Sequence, residues 1–239
     1  MPDRPLVSII VPTLNEASVL PDTLSHLQAQ PAPLEVVVAD GGSSDRTRAE
    51  ARDAGARVVE ASRGRGVQMN RGAEAAEASL LLFLHADTRL PPDGLSQLRR
   101  TLTNGADAGI FRLQFDRPTL LLRLYAWCTR WPWIRLCFGD RGLFVTREAF
   151  AAVGGYPEWP LFEDLELAAR LQEHGDFRFL DAAVVTSARR FAEYGVLRQQ
   201  LRNAYLWTHY LLGTDPERLK ALYPYPDDER IPSSPPDAS

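Results

Sequence analysis

The 239-residue sequence is poor in cysteine, lysine and long hydrophobic runs. Its two cysteines, Cys128 and Cys137, are too few for a disulfide framework, so the reducing cytoplasm is the expected compartment. The net charge is −4, so the chain as a whole has no attraction for nucleic acid, and no nucleic-acid partner is expected. No apolar run reaches the roughly 20 residues that a membrane-spanning helix needs. The first apolar run stops at Val11, which is typical of a strand and not of a signal peptide.

What is present is the composition of a globular protein, with 45% hydrophobic and 24% charged residues, enough for one large domain with or without a subdomain. Short apolar runs alternate with helical patterns in the first half of the chain. The pattern predicts strands over residues 6–11, 34–39, 57–60 and 80–84, and helices over residues 19–29, 46–54 and 67–76. Such alternation indicates a parallel sheet covered on both faces, which binds ligands beyond the carboxyl ends of its strands.

The second half of the chain is less regular. Strands are predicted over residues 108–115, 142–145 and 182–187, and helices over residues 161–174 and 196–212. Residues 117–138 are crowded with Leu, Trp and Arg. We favour a buried core for this segment, with a surface for a membrane or a protein partner as the alternative. The chain divides by pattern into residues 1–115, residues 116–212 and a tail of residues 213–239, expected to be mobile because its end is rich in Pro, Asp and Ser.

Polar side chains follow the first two predicted strands. After the first come Pro12, Thr13, Asn15 and Glu16, whose polar groups can hydrogen-bond a nucleoside; taken alone, however, the loop is better explained by a helix cap at Asn15 or Ser18. After the second comes Asp40-Gly41-Gly42, with Ser44 or Asp45 as a cap for the next helix and Asp40 free to accept a hydrogen bond from a base or ribose. The glycines match neither a dinucleotide-binding fingerprint nor a phosphate-binding P-loop.

Acidic groups stand at two further places. The fourth strand ends in His85-Ala86-Asp87, and a carboxylate there suits Mg²⁺ or Mn²⁺, which bind one or two carboxylates together with substrate phosphates. Glu163 and Asp164 begin a predicted helix, where acids stabilise the helix dipole. Two adjacent acids in an enclosed site can alternatively supply a general base.

The succession VPTLNE, DGGSSDRT, FLHADT, GDRGLFV and GGYPEWPLFEDLELAARL resembles the family-2 inverting glycosyltransferases with the GT-A fold. The resemblance runs from Leu6 to Tyr210. GRGVQMNRGA and SARRF are similar to a small bacterial subgroup of that family. The resemblance implies a Rossmann-like, mostly parallel central sheet flanked by helices, with a C-terminal subdomain on the acceptor side.

The resemblance also implies a role for each motif. Asp87 would hold Mn²⁺ or Mg²⁺, although His85 replaces the first acid of the family's DxD motif. Asp164 would be the general base, with Glu163 beside it. The remaining assignments are donor binding by Pro12, Thr13, Asn15, Glu16, Asp40, Arg65, Gln68, His85 and Ala86, and acceptor-side contacts by Asp140, Arg141, Arg189 and Arg190.

The expected function is therefore metal-dependent, inverting transfer of a sugar from a nucleotide-diphosphate donor, UDP favoured, to a hydroxyl of a glycan, lipid or small molecule. The alternatives are a nucleotidyltransferase and a non-catalytic sugar-nucleotide-binding protein. The expected location is the cytoplasm, with peripheral attachment to the inner face of the membrane as an option. On the acidic helix, helical spacing predicts that Glu163 and Leu167 share one face, that Asp164 points elsewhere and that Glu166 faces solvent.

Overall fold

The computed structural model describes residues 6–134, 141–189, 191 and 195–222. Over these residues the chain forms one mixed sheet with helices on both sides. The elements in chain order are β1 (Val7–Thr13), α1 (Leu20–Gln28), β2 (Leu34–Asp40), α2 (Thr47–Asp53), β3 (Arg57–Glu60), α3 (Arg65–Ala75), β4 (Leu80–Phe83), β5 (Thr88–Arg89), α4 (Gly94–Thr103), β6 (Ala108–Phe115), α5 (Leu120–Cys128), β7 (Leu143–Thr146), α6 (Arg147–Ala152), α7 (Glu163–His174), β8 (Phe177–Thr186), α8 (Val196–Leu211) and α9 (Pro216–Lys220).

The strands lie in the order β3-β2-β1-β4-β7-β6-β8-β5. The first four are parallel, as predicted, and the register that pairs Thr13 with Asp40 brings the ends of β1 and β2 together. In the other half, β6 and β8 are parallel, whereas β7 is antiparallel to both of its neighbours and β5 is antiparallel to β8. The sheet therefore runs without a break through both predicted halves of the chain.

Alternation along the strands covers both faces of the sheet. Ile9 of β1 belongs to one hydrophobic cluster and the adjacent Ile10 to another, because successive side chains of a strand point to opposite faces. The first cluster includes leucines of α1 and α4, and the second includes residues of α3, α6 and α7. The polar ends of β1, β2 and β4 are thereby held at one edge of a well-buried core.

The structure departs from the predicted pattern in several elements. Helices α4, α5 and α6 and the short strand β5 were not predicted, and β8 begins at Phe177, earlier than residue 182. Helix α7 begins at Glu163 instead of residue 161, because Phe162 adopts the left-handed region at φ 64°. Leu161, which precedes the helix, and Leu165, Ala168 and Leu171 within it are buried, whereas Ala169 is only partly buried.

The prediction that residues 117–138 form a buried core is wrong for the tryptophans of this segment. Trp127, Trp131 and Trp133 are exposed, and so are Leu120 and Leu124 of α5. In the portion of the chain that the structure describes, no helix is both long and apolar enough to span a bilayer. The tail from residue 223 onward lies outside the described residues.

Candidate active site

Asp40 organises the loop that follows β2. Its carboxylate accepts hydrogen bonds from the backbone N–H groups of Gly42 (3.2 Å) and Ser43 (2.9 Å) and from the hydroxyls of Thr13 (3.2 Å) and Ser43 (2.5 Å). Gly42 supplies the positive φ of 94° that the turn requires. The side chain of Arg48 lies 3.6 Å away. The expectation that Asp40 is free is therefore wrong, because protein donors already occupy the roughly four lone-pair positions of a carboxylate.

Asn15 joins the two donor-side loops. It adopts a φ of 55°, its side-chain oxygen accepts from the backbone N–H of Ser44 at 2.9 Å, and its own N–H donates to the Ser43 hydroxyl at 2.9 Å. The N–H of Glu16 donates to the hydroxyl of Thr47 at 2.8 Å. Helix α1 has no side-chain cap, so the cap predicted at Asn15 or Ser18 is wrong. The polar residues after β1 instead fasten that loop to the loop after β2.

The carboxylate of Glu16 reaches a residue far along the chain. Arg189 lies 3.0 Å from Glu16 Oε2, and the pair is partly buried. The structure therefore places Arg189 against the loop that follows β1, whereas the resemblance assigned Arg189 to the acceptor side. Arg190 lies outside the described residues.

Arg141 does not face an acceptor site. Its side chain is fully buried, and its guanidinium donates to the backbone oxygens of Phe111 (2.9 Å) and Thr129 (3.1 Å) while lying 5.9 Å from the centre of the Phe179 ring. A buried guanidinium satisfied in this way connects β6, the end of α5 and β8. The acceptor-side assignment of Arg141 is therefore wrong. Asp140 lies outside the described residues.

The turn after β4 presents Asp87. The N–H of Thr88 donates to the backbone oxygen of His85 at 3.1 Å, and the oxygen of Ala86 accepts from the Thr23 hydroxyl at 2.6 Å. Ala86 is buried in this turn, whereas His85 and Asp87 are partly exposed. Among the described residues there is no group of three or more His, Cys, Asp and Glu side chains that could hold a metal ion. A single presented carboxylate still fits Mg²⁺ or Mn²⁺, whose other ligands are commonly substrate phosphates and water.

Helix α3 connects the donor-side loops to the acidic pair. The buried side-chain amide of Gln68 donates to the backbone oxygens of Thr13 (2.8 Å) and Ala39 (2.9 Å), across the ends of β1 and β2. One helical turn earlier, Arg65 Nε lies 2.8 Å from Glu163 Oε1. Because residues three apart are neighbours on a helix surface, Glu163 lies close to the loops that end β1 and β2.

The same helix also holds the segment that precedes α7. The side-chain amide of Asn70 donates to the backbone oxygen of Tyr156 and its oxygen accepts from the Tyr156 N–H, both at 2.9 Å. A Cβ atom at Gly66 would lie 2.4 Å from the backbone oxygen of Pro157, and one at Gly72 would lie 2.3 Å from Ile10. These glycines therefore allow α3 to approach both the Tyr156 segment and β1, which explains the small residues of GRGVQMNRGA.

Tyr156 was not predicted to belong to the site. Its ring packs edge-on against Phe83, the last residue of β4, with the ring centres 5.0 Å apart. Burial raises the pKa of the Tyr156 phenol well above its ordinary value. The negative charges of Asp164 and Glu163 and a hydrogen bond with Asp164 raise this pKa further, and the positive charge of Arg65 partly offsets the increase. The phenol thus stays protonated beside the acidic pair, and the only sequence signal for it was the Gly154-Gly155-Tyr156 turn.

The acidic pair itself is enclosed. Glu163 and Asp164 are both buried, with Glu163 only 1% exposed. Leu167 is buried as well, which agrees with the predicted face shared with Glu163. Glu166 does not simply face solvent: its carboxylate accepts from Arg170 at 2.8 Å and lies 3.4 Å from the Tyr210 hydroxyl. The first turn of α7 therefore presents two carboxylates to the interior, next to the strand ends.

This fold and site define a class. A sheet with polar loops at the ends of β1, β2 and β4 and a buried acidic pair nearby has the architecture of GT-A glycosyltransferases, as solved structures confirm for the fold. The model of glycosyl transferase family 2 matches residues 8–148, more than half of the chain. The chain belongs to this family. The matched region ends before Glu163 and Asp164.

The chain is also similar to individual proteins. A PGL/p-HBAD biosynthesis glycosyltransferase from Mycobacterium bovis is 40% identical over 94 residues, which are 36% of this chain and 37% of that protein. The chain thus spans little more than a third of this relative. The mannosyltransferase PcManGT from Pyrobaculum calidifontis, solved with GDP-Man and Mn²⁺, has a TM-score of 0.65 at 21% identity over 90% of this chain and 66% of that one. Glucosyl-3-phosphoglycerate synthase from Mycobacterium tuberculosis, solved with Mn²⁺, UDP and glucosyl-3-phosphoglycerate, has a TM-score of 0.62 at 18% identity over 88% of this chain and 81% of that one.

Proposed function

We propose that this protein transfers a sugar from a nucleotide-diphosphate donor to an acceptor hydroxyl, with inversion at the anomeric carbon. One observation carries the proposal: α3 ties the ends of β1 and β2, through Gln68, to the buried acidic pair, through Arg65 and Glu163. A donor bound at the strand ends would therefore lie beside a carboxylate that can accept a proton.

The loops after β1 and β2 would bind the nucleoside. Both are held by the protein's own hydrogen bonds, because Asp40, Asn15 and Thr47 link the two loops internally and to each other. Such preorganisation lowers the entropic cost of binding. Asp40 can accept a hydrogen bond from the imide N–H of uracil only if the base displaces one of the groups that now donate to its carboxylate. The Thr13 hydroxyl, at 3.2 Å, is one such group. UDP remains the favoured donor nucleotide on this assignment.

Asp87 would hold a divalent cation on the diphosphate, with His85 and Ala86 shaping the turn. A metal ion bound there would supply Lewis-acid stabilisation of the negative charge that develops on the leaving diphosphate. The proteins of similar fold from Pyrobaculum calidifontis and Mycobacterium tuberculosis were both solved with Mn²⁺, which supports Mn²⁺ or Mg²⁺ here.

Asp164 would accept the proton of the acceptor hydroxyl as that oxygen attacks the anomeric carbon from the face opposite the diphosphate. Its burial and its position in the first turn of α7, next to Glu163, support this assignment. Glu163, paired with Arg65, would fix the start of α7 relative to α3. Tyr156 would remain neutral and able to donate a hydrogen bond to Asp164. No protein–sugar intermediate is needed in a single displacement.

The test is a thermal-shift screen of nucleoside diphosphates and nucleotide sugars, each with and without Mn²⁺. A ligand that binds the native state raises the melting temperature with occupancy. We expect UDP and UDP-sugars to give the largest Mn²⁺-dependent shifts. A GDP-sugar giving the largest shift would overturn the donor assignment, and no shift with any nucleotide sugar would contradict the function. A nucleotidyltransferase would instead respond to nucleoside triphosphates.

A further inference from the structure

Helix α5 and the residues after it carry an exposed hydrophobic stripe. Leu120, Leu124 and Trp127 of α5 recur at spacings of four and three residues, which places them on one side of the helix, and the exposed Trp131 and Trp133 extend the stripe beyond its end. The indole rings contact one another, with 4.3 Å between the ring centres of Trp127 and Trp131. The aromatic side chains thus form a continuous ridge on the surface.

Helix α8 carries a second stripe beside the first. Leu197, Leu201 and Tyr205 are exposed at successive intervals of four residues. The opposite side of α8 is anchored, because Leu206 is buried and the Tyr210 ring stacks on Phe162 with 4.6 Å between ring centres. The helix therefore packs on the residue that precedes the acidic helix α7 and turns its apolar stripe outward. Helices α5 and α8 are also in contact with each other.

The charge of this surface is of one sign, although the chain as a whole carries a net charge of −4. Residues 117–134 and residues 195–211 contain no Asp or Glu. Of their five arginines, Arg202 is half-buried, and four are exposed: Arg117, Arg123, Arg130 and Arg198. We refer to the exposed apolar residues of α5 and α8, the exposed Trp131 and Trp133 after α5, and these arginines as the α5–α8 surface.

We propose that the α5–α8 surface binds the headgroup region of a membrane that contains anionic lipids. Exposed Trp and Leu rows flanked by Arg are the composition of an interfacial helix, whose apolar side chains enter the headgroup boundary while the cations contact anionic lipids. Indole is well suited to that boundary because one edge is apolar and the N–H is polar. A hydrophobic protein partner would not explain the exclusion of acids from both segments, whereas a negatively charged surface does.

The experiment is vesicle co-sedimentation of the full chain, with vesicles of phosphatidylcholine alone and vesicles that also contain phosphatidylglycerol. We expect binding to the anionic vesicles at low salt, weaker binding as the salt concentration rises, and at least tenfold weaker binding to phosphatidylcholine alone. Equal binding to both lipids, or none to either, would overturn the proposal.

Two variants locate the surface. Trp133→Ser with Leu201→Ser removes exposed apolar groups, and Arg123→Glu with Arg198→Glu reverses two charges; each double variant is expected to reduce binding at least tenfold. Arg52→Glu with Arg100→Glu, which reverses two exposed arginines on α2 and α4, is the matched control and should bind nearly as well as the unaltered chain. Melting temperatures of all variants verify folding.

The exposed apolar stripes could instead bind a second copy of the chain. Light scattering of the unaltered chain distinguishes a dimer from a monomer that binds lipid. A dimer that dissociates on Trp133→Ser with Leu201→Ser, with no lipid binding, would replace the membrane proposal.

Discussion

The contact between Arg65 and Glu163 leads to a quantitative prediction about stability. Glu163 is 1% exposed, and Arg65 Nε lies 2.8 Å from its Oε1, while the Arg65 side chain is 35% exposed. Arg65→Met keeps an apolar stem of similar length and removes the cation. Breaking a buried pair by removing one partner costs about 3–5 kcal/mol, and the partial exposure of Arg65 reduces the expected loss to about 2–4 kcal/mol.

Urea unfolding at neutral pH measures this loss. Two further variants test its cause. Adding Glu163→Gln to Arg65→Met should recover part of the stability, because no uncompensated charge then remains buried. Arg71→Met is the matched control: Arg71 lies on the same helix, 3.0 Å from Glu74, but both side chains are more than half exposed, so the loss should stay below about 0.5 kcal/mol. An equal effect of Arg65→Met and Arg71→Met would refute the structural importance of the buried pair.

Two other predictions concern single side chains. Asp87→Ala should abolish the Mn²⁺-dependent part of UDP binding in calorimetry while leaving the melting temperature nearly unchanged, because Asp87 is partly exposed; an unchanged Mn²⁺ dependence would remove Asp87 from the metal site. Tyr156 has a pKa raised in the folded state, so the stability it contributes is present below the unfolded pKa of about 10 and is lost as the pH rises above that value. Tyr156→Phe should therefore show a shallower loss of stability with pH in that alkaline range, and identical slopes for the two proteins would contradict the assignment.

Local patterns were sufficient for the four parallel strands of the first half of the chain and for the polar residues at their ends. Alternating apolar runs predicted β1, β2, β3 and β4 in parallel order, and the polar residues after them do lie at one edge of the sheet. What these residues contact depends on the rest of the chain. Asp40 was expected to be free, but no local rule shows that the Thr13 hydroxyl, 27 positions earlier, shares its carboxylate with the Ser43 backbone.

Burial of polar groups was the least predictable feature. Arg141 follows Asp140 in a glycine-containing turn, which is typical of an exposed loop, yet its guanidinium is buried on carbonyl groups of Phe111 and Thr129. Trp127 shows the opposite error: the apolar composition of its segment suggests burial, yet its side chain is exposed. The helix that carries it, α5, contacts α8, and the sequence pattern of neither helix shows how the two are placed.

The role of α3 also depended on the tertiary structure. The resemblance placed Arg65 and Gln68 beside the nucleotide, and the structure brings them to the strand ends and to Glu163. Asn70, which was given no role, fixes the Tyr156 segment with two hydrogen bonds. A hydrogen-bond partner 86 residues away leaves no signal in one sequence.

The proposed deprotonation of the attacking hydroxyl by the buried Asp164 is tested most directly by measuring donor binding and turnover separately. With the nucleotide sugar that gives the largest thermal shift, calorimetry measures donor binding, and release of the nucleoside diphosphate, with water as the simplest acceptor, measures turnover. We predict that Asp164→Asn binds the donor as tightly as the unaltered chain and turns over about 10²–10⁴-fold more slowly, while Glu163→Gln retains measurable turnover. Near-native turnover of Asp164→Asn together with an inactive Glu163→Gln would exchange the two roles, and near-native turnover of both variants would contradict the general-base account.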